Sequence, residues 1–258
     1  MNYSEKNHSK LISGVLVVLA FVTMFFASSS YAESMYNRRV AGGRLLFDVL
    51  LEQYVPREPL DLIFRMFDYN EGRIPNTDYA VLVDYSRPSV EKRLYLLNLR
   101  SGRVERFHVA HGIRSGILET RSFSNLPDSW KSSLGFYYAK GTYLSSKNGL
   151  SLYLDGIDRS NNNSRIRNIV LHGATYVSED FILRNGRLGW SEGCFAVGLE
   201  HVQYLINILQ NGSILLSYHK DLIAYSRRYP SEQSLFGDEI IPPGVNTRRN
   251  PGEGGGTD

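Results

Sequence analysis

"IRNIVLHGATYVSEDFILRNGRLGWSEGCFAVGLEHVQYLINILQNGSILLSYH", residues 166–219, changes character several times along its length. It opens on an apolar β-rich run, "IRNIVLHGA", and closes on another, "SILLSYH". Between them lie two stretches with helical spacing. In "SEDFILRNG", Ser178 stands at the N-cap position and Gly186 just past the C-terminal end. "LEHVQYLINILQNG" follows a glycine-punctuated turn that holds the only cysteine of the chain, Cys194. The pattern predicts two helices inserted near the end of a strand-dominated body.

Upstream, "YAVLVDYS" from Tyr79, "RLYLLNL" and "RVERFHVAHG" are short β-rich runs, the last two joined by the turn "RSGR". "GFYYAKGTYLS" and "LSLYLDG" continue the series, while Ile113 to Leu134 is polar and loop-like. Residues 79–220 are therefore predicted to be a mainly β domain, a β-sandwich or barrel-like sheet. A small helical segment is expected over 33–78. There Leu45, Leu46, Val49 and Leu50 share one face, and Leu60, Ile63, Phe64 and Phe67 share another. Residues 221–258 form a C-terminal extension, Pro/Gly-rich and predicted disordered from about 242.

The N-terminus has Lys6 and Lys10, then the uncharged run Leu11–Ala27, then small residues ending at Ser30 and Ala32. This is the layout of a signal peptide over 1–32, with cleavage after Ala32 and export to the periplasm or cell envelope. An uncleaved membrane anchor is the alternative, and association with a membrane is expected only in that case. The charge is +3 and 21% of residues are charged, which excludes a strongly basic nucleic-acid binder. Exported chains usually pair their cysteines, so one cysteine is either buried and inert or reactive.

Thiol chemistry needs a thiolate, a base and donors for an oxyanion. His172, at a strand end beside Gly173, is placed as a general base; a hydrogen-bonded structural histidine would look the same. Gly193, immediately before Cys194, permits a sharp bend that presents backbone N–H groups. His111 precedes Gly112 at another strand end, as a candidate to line the same cleft. His108 and His111 are three apart on a strand and point to opposite faces, and no HExxH or paired CxxC is present, so no metal site is expected. His201 and His219 read as surface or packing residues. No G-x-S-x-G elbow, P-loop or GxGxxG occurs.

"HGA" followed by "SxGC", with "DYSRPSVEKRLYLLNL", "VAHG", "SNLPDSWKSSLGFY", "LDG", "IVLHGATYVS" and "GRLGWSEGC" around them, resembles the L,D-transpeptidases, the YkuD-like peptidoglycan enzymes. The resemblance is to their murein L,D-transpeptidase catalytic-domain branch and covers roughly Tyr79 to His219. It implies that Cys194 is the nucleophile and His172 the proton donor and acceptor. Ser191, Gly193, Gly173 and His111 would frame the site, in a mostly β fold that brings both motifs to one cleft. It implies peptidoglycan stem peptides as partners, a donor tetrapeptide and an acceptor amine, with a place in cell-wall organisation and cell shape. The reaction forms a thioester with release of D-alanine and then a 3–3 cross-link, without cofactor or metal. Water as acceptor would make an L,D-carboxypeptidase, and loss of activity a cell-wall-binding protein. Two departures stand out. Glu192 takes the place of a histidine common in the superfamily, and Phe195 and Ala196 follow the cysteine where Pro or a nearby Arg is frequent. A carboxylate in place of an imidazole near a thiol should raise its pKa.

Overall fold

The two most continuous apolar runs, Tyr79–Asp84 (β1) and Asn211–Tyr218 (β8), lie side by side in parallel, with Val81 opposite Leu215. Burial along nearly their whole length suits a parallel pair that is covered on both faces. The structure is a computed structural model that describes residues 34–221. The expected signal peptide and the Pro/Gly-rich C-terminal run lie outside the described residues. No described helix is long and apolar enough to cross a membrane.

The remaining strands are β2 (Leu94–Asn98), β3 (Val104–Phe107), β4 (Gly135–Ser145), β5 (Gly149–Gly156), β6 (Val170–Gly173) and β7 (Phe195–Val197). They form one eight-stranded sheet in the order β3-β2-β1-β8-β4-β5-β6-β7. All neighbours are antiparallel except β1 with β8 and β6 with β7. The chain leaving β3 then crosses to the far edge. Ala110 bridges Ala196 of β7, and Gly112 bridges Ser191. The sheet is thus a nearly closed barrel, and the mainly β expectation holds.

The helices are α1 (Leu46–Glu52), α2 (Arg57–Tyr69), α3 (Glu179–Asn185) and α4 (Leu199–Leu209), of which α2 and α4 pack on the sheet. On α3, Ser178 caps the Phe181 N–H at 3.2 Å and Gly186 takes the left-handed conformation, as the sequence predicts. α4 lies against β1, β4, β5, β6 and β8, burying Leu205, Ile206 and Leu209. α2 buries Leu60, Ile63, Phe64 and Phe67, the predicted face. Each such side chain contributes about 1.5–3 kcal/mol by leaving water. The face of α1 is rotated from expectation: Phe47 is buried with Leu46 and Leu50, while Leu45 and Val49 are half-buried. Phe47 is drawn in by Phe64, whose ring centroid is 5.0 Å away and edge-on. These helical residues and the sheet interior form one apolar cluster.

Three strand readings are corrected. "RVERFHVAHG" is a strand only over Val104–Phe107, because from His108 the backbone turns away to reach β7. "IRNIVLHGA" is a strand only over Val170–Gly173. The preceding residues belong to a chain of turns through 157–169, where Asn168 has a positive φ and Asn and Ser side chains bond locally. β7 is a strand the sequence reading does not contain.

That turn segment is fastened to the start of β4. Asp158 Oδ2 accepts the Phe136 N–H at 2.6 Å, and Asn161 Nδ2 donates to the Phe136 carbonyl at 2.8 Å. Gly135 permits the approach: its φ is +112°, and a Cβ there would lie 2.5 Å from Asp158 Oδ2. Burial pushes the Asp158 carboxyl up to about 7, against the Phe136 N–H, which lowers it. The folded-state pKa lies above the unfolded value of about 3.9, so this stability is fully present below about pH 4 and lost as pH rises through about 7. Asp158→Asn keeps an acceptor for the Phe136 N–H and cannot ionise. In denaturant titrations it should be roughly 2–4 kcal/mol more stable than wild type at pH 8, with the gap closing near pH 4. Equal stabilities at pH 8 would contradict this burial.

Candidate active site

The parallel pairing of β6 with β7 sets Leu171 opposite Phe195 and His172 opposite Ala196. Cys194, one residue before Phe195, is therefore level with Val170 at the start of β6. The two residues singled out in sequence for chemistry arrive on adjoining strands of one sheet edge. His172 is buried, and its Nδ1 lies 3.0 Å from the Gly173 carbonyl. A carbonyl can only accept, so Nδ1 carries the proton and Nε2 keeps its lone pair. Gly173 also lies close to α4: a Cβ there would meet Leu199 at 2.9 Å and Val202 at 3.0 Å.

The cysteine turn is held from inside and from behind. Ser191 Oγ donates to the Cys194 carbonyl at 2.7 Å and accepts the Gly193 N–H at 3.1 Å. Gly193 has φ +119°, a backbone region that L side chains rarely adopt. Behind the turn, the Ser191 N–H donates to the His111 carbonyl at 3.0 Å, and the Ile113 N–H donates to the Ser191 carbonyl at 2.8 Å. Ser191, Gly193, Gly173, His172 and Cys194 therefore come together.

His111 joins them only through its backbone. Its imidazole is fully buried and does not line the cleft, which corrects the sequence expectation. Nδ1 accepts from Arg93 Nη2 at 2.8 Å, and Nε2 donates to the Gly116 carbonyl at 3.0 Å. Burial, with the Arg93 charge beside it, pushes His111 down to about 4. His108 turns elsewhere, to Glu179 at 3.1 Å, while His201 packs edge-on to Phe107 and His219 against Phe123. Among the described residues no group of three or more His, Cys, Asp or Glu side chains could hold a metal.

Cys194 is half-buried and lines a cleft of about 380 Å³. Trp130 comes from the long loop that the sequence marks as polar, and it is 44% exposed with Arg114 stacked 4.7 Å from its ring. Phe123 of the same loop packs underneath, against Tyr85 and His219. Tyr143 and Lys147 come from the β4–β5 hairpin, and Arg167 and Asn168 from the turn segment before β6. The thiol makes its hydrogen bond to the Asn168 carbonyl, at 3.4 Å, rather than to His172.

Burial pushes the Cys194 thiol up. The Val170 N–H and the Arg167 and Lys147 charges pull it down, and Glu192 adds to the rise, as its carboxylate leads one to expect. Burial likewise pushes His172 down, with Lys147 adding to that and the Gly173 carbonyl opposing it. Arg167 is a residue the sequence reading misses. It donates to the Ser124 carbonyl at 2.8 Å, to Ser133 Oγ at 3.1 Å and to the Lys131 carbonyl, tying the loop to the turn segment before β6. The superfamily's frequent arginine after the cysteine is absent here, and the Arg167 guanidinium, on another segment, pulls the thiol pKa down through its charge. Only the Asn/Ser-rich turn composition before "IVLHGA" hinted that this stretch was not strand.

A family model described as an L,D-transpeptidase catalytic domain matches residues 52–218. Among solved structures, an L,D-transpeptidase from Mycobacterium smegmatis is 8% identical, covers 55% of this chain and 58% of its own, and has a TM-score of 0.33. An L,D-transpeptidase from Stackebrandtia nassauensis is 18% identical, with coverages of 62% and 65% and a TM-score of 0.34. The helical cell shape determining protein from Campylobacter jejuni is 12% identical, with coverages of 65% and 63% and a TM-score of 0.36. The chain spans between 58 and 65% of the length of these three structures. No curated protein matches it. The family model spans well over half of the sequence, and the chain belongs to the L,D-transpeptidase catalytic domain family.

Proposed function

We propose that this chain is an exported cysteine acyltransferase that cross-links peptidoglycan stem peptides through a thioester at Cys194. The observation that carries the reading is the pairing of β6 with β7, which brings the thiol to the strand beside an imidazole whose Nε2 is free to take a proton. On this reading residues 1–32 direct export, 33–78 brace the sheet and 79–220 carry the chemistry.

Both groups are pushed toward neutrality, the thiol up and the imidazole down. The resting state is thus a neutral thiol beside a neutral imidazole, with the thiol turned to the Asn168 carbonyl. Rotation about the Cα–Cβ bond turns Sγ toward His172 Nε2, which takes the proton as sulfur attacks the donor carbonyl. That carbonyl joins the L-configured centre of diaminopimelate to the terminal D-alanine. The tetrahedral oxyanion is held by a backbone N–H of the cysteine turn. The Gly193 N–H is engaged by Ser191, which leaves the role to the Cys194 N–H. His172 returns its proton to the leaving D-alanine amine as the C–N bond breaks. The amine of a second stem then attacks the thioester, its proton passes through His172 to sulfur, and the free thiol is restored. The loop that carries Trp130 shields the thioester from water, which is the condition for transfer to outrun hydrolysis.

With tetrapeptide stems, wild type should release D-alanine and yield 3–3 dimers together with tripeptide. Cys194→Ala should abolish release, and His172→Ala should lower kcat by roughly 10²–10⁴. Trp130→Ala should move products toward tripeptide while acylation survives. Tripeptide alone from the intact protein would instead make it a carboxypeptidase. Alkylation supplies a separate check. The rate with iodoacetamide should climb with pH through a midpoint above that of a free cysteine peptide, and Arg167→Met should slow it at pH 7.5 by removing a charge that pulls the thiol pKa down. A wild-type rate that is flat from pH 5 upward would indicate a preformed ion pair and contradict the neutral resting state.

A further inference from the structure

Glu192 is the residue that departs most sharply from the superfamily pattern, and its surroundings give it a task. Its two carboxylate oxygens lie 3.0 and 3.1 Å from Lys147 Nζ. Lys147 stands in the tight turn between β4 and β5, and Glu192 in the cysteine turn, so the pair joins two elements of the cleft that holds the thiol. Both side chains are open to solvent, at 70% and 61% exposure. An ion pair this exposed adds little to stability and opens readily. Glu192 also raises the thiol pKa, an unfavourable effect in a nucleophile's turn that calls for a compensating role.

The cleft lining has two other charged groups. Arg167 is held by the loop carbonyls and hydroxyls named above, and Asp128 comes from the loop itself. Lys147 and Glu192 are the lining charges of opposite sign held side by side.

We propose that this pair recognises a zwitterionic amino-acid head on the substrate, with the ligand's ammonium on Glu192 and its carboxylate on Lys147. The internal ion pair opens as the ligand enters, and each charge exchanges one partner for another. The proposal rests on the transpeptidase reading, under which the head is the free end of the diaminopimelate side chain beside the scissile bond. Glu192 precedes Cys194 by two residues, so their Cα atoms lie at most about 7 Å apart, of the order of that side chain's extension. A side chain with only one of the two charges would leave one member of the opened pair unmatched, so discrimination follows from charge number as well as from shape.

The test is a crossed binding experiment on the full chain carrying Cys194→Ala, read by calorimetry so that turnover plays no part. Three tetrapeptides are compared that differ only at the third residue: diaminopimelate with both charges, lysine with the ammonium alone, and 2-aminopimelate with the carboxylate alone. The diaminopimelate peptide should bind most tightly, by roughly fivefold over each analogue, the scale of an exposed ion pair. Adding Glu192→Gln should erase the preference over the 2-aminopimelate peptide and keep that over lysine. Adding Lys147→Met should do the reverse. Equal binding of all three peptides, or the same ratios in both variants, would overturn the proposal. The transpeptidase reading is judged apart from it, by Cys194-dependent D-alanine release from the diaminopimelate peptide with wild-type protein.

Discussion

A strand of three residues, Phe195–Val197, is the join on which the rest depends. On one side it pairs in parallel with β6, and on the other Ala196 bridges Ala110 of the chain leaving β3. Without that pairing the sheet has two open edges, and Cys194 and His172 have no common frame. With it, the sheet approaches closure and its last turn is locked by Ser191 to the His111 backbone. The left-handed Gly193 then faces the thiol into the cleft without strain at a residue that carries a side chain. The helices serve the same end: α4 rests on Gly173, beside His172, and α2 packs on β1 and β8 at the centre of the sheet.

Electrostatics around the thiol are balanced rather than strongly activating. Burial and Glu192 favour the thiol, whereas Arg167, Lys147 and the Val170 N–H favour the thiolate. A free thiolate is open to oxidation, and a protonated resting thiol resists it. On the proposed mechanism, activation by a base only when substrate is in place reconciles that protection with nucleophilic chemistry. Arg93 contributes at a distance. It is fully buried with Val109, Arg87 and Thr120 oxygens as acceptors, and it holds His111 neutral beneath the cysteine turn.

Cys194 and His172 were legible because local features announce them: a lone thiol after glycine, and an imidazole at the end of an apolar strand. The capped α3 and the buried face of α2 were legible for the same reason, since caps and periodicity are properties of short windows. β7 was hidden because three residues between a turn and a helix have no period to read. The strand expected from Ile166 failed because isolated apolar residues resemble strand even where Asn and Ser turns govern the backbone. The cleft chemistry of Lys147 and Arg167 comes from a hairpin turn and a turn segment folded onto the cysteine turn, a tertiary fact with no local signature. His111 shows the converse: its backbone belongs to the site, but its ring is claimed by a buried arginine that sequence spacing does not reveal.

The central claim is that Cys194 carries the acyl group, and intact-mass spectrometry after acid quench tests it most directly. Wild-type protein mixed briefly with tetrapeptide should gain the mass of the donor less D-alanine, and hydroxylamine should remove that mass, as it does for a thioester. The adduct should be absent from Cys194→Ala. An adduct of that mass in Cys194→Ala, or one that resists hydroxylamine, would place the nucleophile elsewhere and contradict the assignment.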